Sequence, residues 1–117
     1  MTERFQRELI RGSLDLMVLS VLADKSQYGY AIQKQIRDAS SEQVKLPAGT
    51  LYPLLHRLED ERLIRSRWEK STGRPRKWYE ITAAGRKQLA SQAKQWQSYS
   101  QCVERLLTMV GLQTETA

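Results

Sequence analysis

Between Gly73 and Lys77 the chain carries Arg74, Arg76 and Lys77 in a glycine-opened, proline-interrupted stretch. Cations grouped this way suit a phosphate backbone, which a purely structural turn has no need to address. About twenty residues earlier lies Ala48-Gly49-Thr50-Leu51-Tyr52-Pro53-Leu54-Leu55-His56-Arg57-Leu58-Glu59. Here Leu51, Leu54, Leu55 and Leu58 fall at i, i+3, i+4 and i+7, one apolar stripe of a helix. The other faces carry Thr50, Tyr52, His56 and Arg57. Thr50 can offer a hydroxyl or a methyl to a base edge, Tyr52 can donate to a phosphate, and His56 and Arg57 reach further. The bland alternatives are that Tyr52 packs the helix against a neighbouring hairpin, that His56 is simply exposed, and that the cations form a solvated turn.

The wider charge pattern favours the binding alternative. Nine of the 19 Lys and Arg residues lie between Arg62 and Lys87, against only Glu69 and Glu80. The formal net charge is +6 and the pI about 9.7. A surface made only for solubility mixes its signs more evenly. Nucleic acid and an anionic membrane are the partners such a balance allows. No apolar run approaches the ~18 residues of a membrane span. Arginines near the start are not followed by a signal-peptide core. With a single cysteine, Cys102, no intrachain disulfide framework exists, and a cytoplasmic location is expected.

Enzymatic classes find little support. One His and one Cys provide no metal cluster and no nucleophile–base pairing, and neither a phosphate-binding GxxxxGK loop nor a GxGxxG turn is present. No cofactor is expected. Cys102 reads as a small buried or half-buried helix residue, with redox sensing as the minor alternative.

The elements that position these residues follow from periodicity. Residues 1–10 form an arm or an extra helical turn, with Phe5 its large apolar residue. Ser13 suits the N-cap of a first helix ending near Asp24. Lys25-Ser26-Gln27 forms a polar turn. A second helix spans about Tyr28 to Ala39, with Ile32 and Ile36 facing inward. Tyr28 and Tyr30 flank Gly29, one packing inside and one facing a backbone, with Tyr28 preferred outside. Val44 to Leu46 is extended. The third helix runs from about Ala48 to Arg62. Either Pro47 occupies its first position and Pro53 lies inside it, or Thr50 caps it and Pro53 falls in the first turn. Two strands follow, Ile64 to Glu69 and Lys77 to Ile81, joined through Ser71-Thr72-Gly73. Alternation puts Arg76 and Trp78 on one face and Lys77 and Tyr79 on the other, with Trp68 and Trp78 expected in the core of the hairpin. Arg11 and Lys34 are further candidates for phosphate contacts. The order is a helix-turn-helix completed by a β-wing, an α+β winged helix.

Thr82 caps a fourth helix that Gly111 stops, and the tail after it frays. Along it Leu89, Trp96, Val103 and Val110 recur every seven residues, with Tyr99 and Leu106 between them and Ala93 and Leu107 widening the stripe. A heptad-like face on so long a helix needs a partner, most economically the same face of a second chain. The chain thus divides into a DNA-binding unit over residues 1–82 and a dimerisation helix with its tail over 83–117. A dimer would set two recognition helices one turn of duplex apart, which calls for a near-palindromic operator in double-stranded DNA. A winged-helix module for protein interaction or RNA binding is the competing class.

Five segments together resemble the PadR family of transcriptional regulators in its short form. They are Leu14 to Leu19, Tyr28 to Ile32, Gly49 to Glu59, Gly73 to Tyr79 and Ile81 to Gly85. The resemblance implies a homodimeric repressor with an N-terminal winged helix and a C-terminal dimerisation helix. One departure is Asp60-Glu61-Arg62, where the family more often has a glycine before the Leu-Ile pair; an ordinary residue must then make that turn. Trp96 lies mid-way along the seam, where Leu or Val would pack more simply. Two indoles meeting at a two-fold axis either fill the interface or leave a slot for a planar aromatic effector. Filling the interface is the preferred reading; the resemblance adds weight to the slot, since some PadR-like proteins bind flat apolar compounds in a central pore.

Overall fold

The computed structural model describes residues 2–70 and 73–112, the first eleven of them by backbone alone. The parts assigned to Phe5, Arg11, Ser71, Thr72 and the last five residues lie outside that description. Four helices and three short strands follow in the order α1 (Thr2–Asp24), β1 (Gln27–Tyr28), α2 (Gly29–Ala39), α3 (Ala48–Asp60), β2 (Ile64–Glu69), β3 (Arg76–Ile81) and α4 (Ala83–Met109). The α+β winged helix with a long C-terminal helix is the architecture observed.

Helix α1 is continuous from Thr2, so Ser13 lies inside it, buried, and is no N-cap. The apolar repeat from Leu14 through Val18, Leu19, Val21 and Leu22 continues the helix across a residue whose type alone suggested a start. The core gathers these residues with Ile32 and Ile36 of α2, Leu46, the four leucines of α3, and Ile64, Tyr79 and Ile81 of the sheet.

Helix α3 follows the first alternative for Pro53 and moves Pro47 one position outward. Pro47 is itself the N-cap, its carbonyl accepting from the N–H groups of Thr50 and Leu51 at 2.9 Å, and Pro53 lies inside the helix. An interior proline costs about 3 kcal/mol. Burying Leu51, Leu54, Leu55 and Leu58 contributes roughly 6–12 kcal/mol, so the helix persists through Pro53.

The helix ends earlier than Arg62, at Asp60, in a paired-bond turn. Leu63 N–H donates to the Leu58 carbonyl at 3.0 Å and Arg62 N–H to that of Glu59 at 2.9 Å. This turn requires a left-handed residue, and Arg62 supplies it at φ 63°. The arginine therefore stands in a conformation that suits glycine, the departure noted in the sequence.

The sheet has the order β1-β3-β2, all antiparallel, and Trp68 opposes Lys77 across the wing. Strand β1 is the element missing from the sequence reading. Gln27 and Tyr28 pair with Tyr79 and Trp78. Gln27 is buried, its Nε2 donating to the Val21 carbonyl at 3.0 Å and to Gln35 Oε1 at 2.7 Å. A two-residue strand has no alternation to reveal it, and only pairing with β3 creates it.

Where β3 meets α4, Thr82 caps the helix by accepting from Gly85 N–H at 3.0 Å. Thr82 N–H donates to the Leu63 carbonyl at 3.0 Å. That same carbonyl would lie 2.0 Å from a Cβ on Gly85, so the joint closes only around glycine. Gly111, at φ 85°, ends α4 as expected.

Candidate nucleic-acid interface

With its leucines turned inward, α3 leaves Gly49, Thr50, Tyr52, Pro53 and His56 exposed. No side chain caps its start, and its first-turn N–H groups favour an outside acceptor. Tyr52 rests on the beginning of α2: a Cβ on Gly29 would come within 2.6 Å of its Oη. Contact with a neighbouring element and partial exposure thus coexist in Tyr52, whose support is the start of α2.

Arg57 points elsewhere. Its guanidinium pairs with Asp15 of α1, with Nη1 3.1 Å from Oδ2, and with Glu61 at 3.4 Å. The hydrogen bond to Asp15 raises its pKa further, and it stays charged at any accessible pH. It ties α3 to α1 and is not a free cation of the α3 face.

The wing is held at its base by a ladder of aromatic and cationic groups. Arg76 lies 4.9 Å over the Tyr28 ring, and Tyr28 meets Trp78 edge-on at 4.9 Å. Arg67 covers the Trp78 ring at 5.9 Å. Tyr28 also stacks with Tyr30 at 6.1 Å, and Arg76 Nη1 donates to Tyr30 Oη at 3.4 Å. Such contacts are worth about 0.5–1.5 kcal/mol each and fix where the arginine sits. The two tyrosines exchange their expected places: Tyr28 is half-buried within the ladder, and Tyr30 is the exposed one. At the tip Gly73 turns the chain at φ 83° and Arg74 is exposed.

The second face of the hairpin carries Ser66, Trp68, Lys77 and Tyr79. Tyr79 is buried, which pushes its phenol up to about 12, with Tyr52 and Glu59 nearby adding to the shift. Two residues further out, past the edge of the core, Trp68 is 60% exposed, with Lys77 Nζ 5.8 Å from its ring. The expectation of a buried Trp68 is therefore corrected, while Trp78 is half-buried. Trp68 shares the inward-facing side of the strand with Ile64 and Ser66, but the body ends before the strand does.

Five of the expected residues, Tyr28, Tyr52, His56, Arg76 and Lys77, line one cleft of about 440 Å³ between α3, the start of α2 and the wing. Thr50, Arg57 and Arg74 lie outside it. Tyr30 and Trp68 line it too; the sequence offered Tyr30 only as the second choice after Tyr28 and read Trp68 as hairpin core, since an exposed aromatic at a strand or helix end looks like any core residue in a sequence.

The profile of the transcriptional regulator PadR-like family matches residues 18–91. The chain belongs to that family. It is 32% identical over 107 residues to an uncharacterized protein of Lysinibacillus sphaericus, covering 91% of this chain and 96% of the relative. With the transcriptional regulator Rv3488 of Mycobacterium tuberculosis it shares 36% identity over 80 residues, 68% of this chain and 72% of the relative. The crystal structure of a PadR family transcriptional regulator from Eggerthella lenta superposes with a TM-score of 0.79 at 37% identity, over 91% of each chain.

As a PadR-like protein the chain is a DNA-binding transcriptional regulator and not an enzyme. Among the described residues no helix is long and apolar enough to cross a membrane.

The family's long C-terminal helix is α4, and its outer half is bare. Trp96, Tyr99, Val103, Leu106 and Val110 are all exposed, as is Cys102, which was expected to be at least half-buried. Leu89, by contrast, packs half-buried against the chain's own core. The bare part of the expected seven-residue repeat begins at Trp96. Trp96 also borders an apolar cleft of about 370 Å³ with Leu16, Met17, Val21, Ile36 and Ala39.

Proposed function

We propose that this chain is a homodimeric repressor that binds a near-palindromic operator in duplex DNA in the cytoplasm. Residues 1–82 form the DNA-binding unit and residues 83–117 the dimerisation helix and its tail. The exposed start of α3, with Thr50, Tyr52 and His56, enters the major groove. Tyr28, Arg74, Arg76 and Lys77 address the adjoining backbone and minor groove. Arg57 serves as a positioning residue through Asp15. The observation that carries the proposal is the pairing of two uncovered surfaces on one chain: a cation-bearing wing beside α3, and an apolar seam from Trp96 to Val110 on α4. The first suits a duplex and the second a second copy, and a two-fold dimer uses both at once. Repression follows from denying polymerase the same stretch of DNA.

The test is a mobility-shift titration at several salt concentrations on duplex from the gene's own upstream region. Its arms are an intact near-palindrome, a single half-site and a single-stranded RNA competitor. Binding to the palindrome that far exceeds binding to the half-site, and that RNA does not displace, is expected. Equal affinity for half-site and palindrome removes the dimeric reading, and preference for RNA removes the operator.

Trp96 is proposed as the contact for a planar aromatic effector, which would alter the angle between the two DNA-binding units. The apolar cleft beside it has the size that such a ligand fills. Planar aromatic dyes should bind wild type more tightly than a dimeric Trp96→Ala variant. Equal dye affinity would leave Trp96 as packing alone.

A further inference from the structure

We propose that the cleft between α3 and the wing seats one sugar–phosphate strand of the duplex, with Trp68 packing on deoxyribose. In this arrangement the hydroxyls of Tyr30 and Tyr52 and the Lys77 ammonium hold the flanking phosphates. The inference rests on the reading of α3 and the wing as neighbours on DNA, and adds Trp68 and Tyr30 to it.

The first argument is geometric. The major groove of B-form DNA is about 12 Å wide and the minor groove about 6 Å, and a single backbone strand separates them. If α3 enters one groove and the tip at Arg74 the other, that strand runs between helix and wing. The cleft occupies that place, bounded by Tyr52 and His56 on α3 and by Trp68 and Lys77 on the wing.

The second argument is chemical. A backbone strand alternates an apolar sugar face with an anionic phosphate. None of the described residues lining the cleft is acidic, and the wing brings Arg76 and Lys77 to its rim. Tyr30 Oη accepts from Arg76 at 3.4 Å, which leaves its own proton for another acceptor. Trp68 provides the apolar half of the match. It is 60% exposed at a strand position whose inner neighbours, Ile64 and Tyr79, are buried. Lys77 Nζ, 5.8 Å from the indole centroid, places a cation one sugar-to-phosphate step from the apolar surface.

Third, Trp68 contributes nothing to the core that would explain it. It stands beyond the last buried residues of the hairpin, on the same face as they are. An A-form duplex fits poorly, because its deep, narrow major groove does not admit α3.

A sugar contact has a signature that separates it from every charged contact. Removing it releases no counterion, so affinity falls while the dependence on salt stays parallel. Loss of a phosphate contact flattens that dependence by about 0.9 in the log–log slope. A sugar contact also carries no base information, so operator and random duplex lose alike.

Trp68→Ala should weaken binding about tenfold on both duplexes with an unchanged slope, the order expected for losing a modest apolar contact. Trp68→Phe should restore part of the loss. Lys77→Ala should reduce the slope. Because Trp68 is exposed, the variant keeps its fold, which circular dichroism and sedimentation check. Hydroxyl-radical footprinting, which reads the exposure of the sugars, should show protection at the deoxyriboses beside the wing, absent in Trp68→Ala. Wild-type affinity and footprint in Trp68→Ala, alongside weakened Arg74→Ala and Arg76→Ala, overturns the inference and leaves the operator reading intact. A flattened slope in Trp68→Ala also overturns it, since Trp68 would then act by positioning Lys77. Wild-type protein that binds no duplex overturns the operator reading itself.

Discussion

Helices α3 and α4 are built from similar apolar residues at helical spacing, and their stripes end in opposite surroundings. Leu51, Leu55 and Leu58 have no exposed surface, whereas Leu106 is 61% exposed and Val110 62%. The difference does not lie in the spacing, since Val103, Leu106, Leu107 and Val110 repeat the i, i+3, i+4, i+7 pattern of Leu51, Leu54, Leu55 and Leu58. It lies in position: α3 sits among the core residues of α1, α2 and the sheet, and the outer half of α4 runs past them. Trp96, Tyr99, Val103, Leu106 and Val110 alternate steps of three and four, the spacing of a seam that fits another helix. One stripe completes its own domain, and the other stays uncovered, which is where the proposed dimer packs.

The most severe way to break this division is at the joint between the two regions. In Gly85→Ala the new Cβ meets the Leu63 carbonyl at 2.0 Å, a backbone atom that also accepts from Thr82. We expect a loss of more than about 3 kcal/mol in urea unfolding. Near-native stability would mean that α4 can shift its start freely, and the division would be less firm than drawn.

Next in size is the seam itself. Val103→Asp with Leu106→Asp places unpaired charge where a partner helix should pack, at a cost of several kcal/mol of association. Sedimentation should report monomers that retain the helical circular dichroism of the body. A variant that stays dimeric would locate the interface away from α4.

The body can be probed through pH. Burial holds the Tyr79 phenol at about 12 against an ordinary value of 10. Below 10 both folded and unfolded chains keep the proton, and its contribution to pH dependence is nil. Between 10 and about 12 the unfolded chain has released it and the folded one has not, so stability falls as pH rises. Comparing thermal melts of wild type and Tyr79→Phe over that window should show a steeper decline in wild type. Parallel declines would place the phenol in contact with water.

A smaller effect separates two arginines that the sequence grouped together. Arg57→Ala should cost at most about 1 kcal/mol, because its ion pairs are half exposed and screened by solvent. It should leave the salt slope of DNA binding unchanged. A slope reduced by about 0.9 would return Arg57 to the phosphate-contacting set.

Smallest of all, Arg62→Gly should stabilise the body by up to about 1 kcal/mol. It relieves a left-handed arginine at φ 63°, less the greater chain entropy of glycine. Urea midpoints with an unchanged m-value check it, and destabilisation would point to a contact of the Arg62 side chain.

The succession of helices, the wing strands, the caps at Thr82 and Gly111 and the family were legible in the chain, because each depends on neighbours within about one turn or one strand. The missing glycine before Leu63 was legible too, and the left-handed Arg62 is its consequence. Local signals failed where a distant partner decides the outcome. Ser13 has the chemistry of a cap but lies inside a helix that continues through it. Gln27 and Tyr28 become a strand only because β3 is there to pair with. Arg57 and Arg76 are equally basic in the sequence, yet Asp15 occupies one and Tyr28 and Tyr30 hold the other beside a cleft. Trp68 alternates inward like Tyr79, and only the place where the body ends leaves it outside. Periodicity thus determined which faces are apolar. Only tertiary packing decided which of those faces find a partner within the chain, because burial and pairing depend on residues far away in sequence.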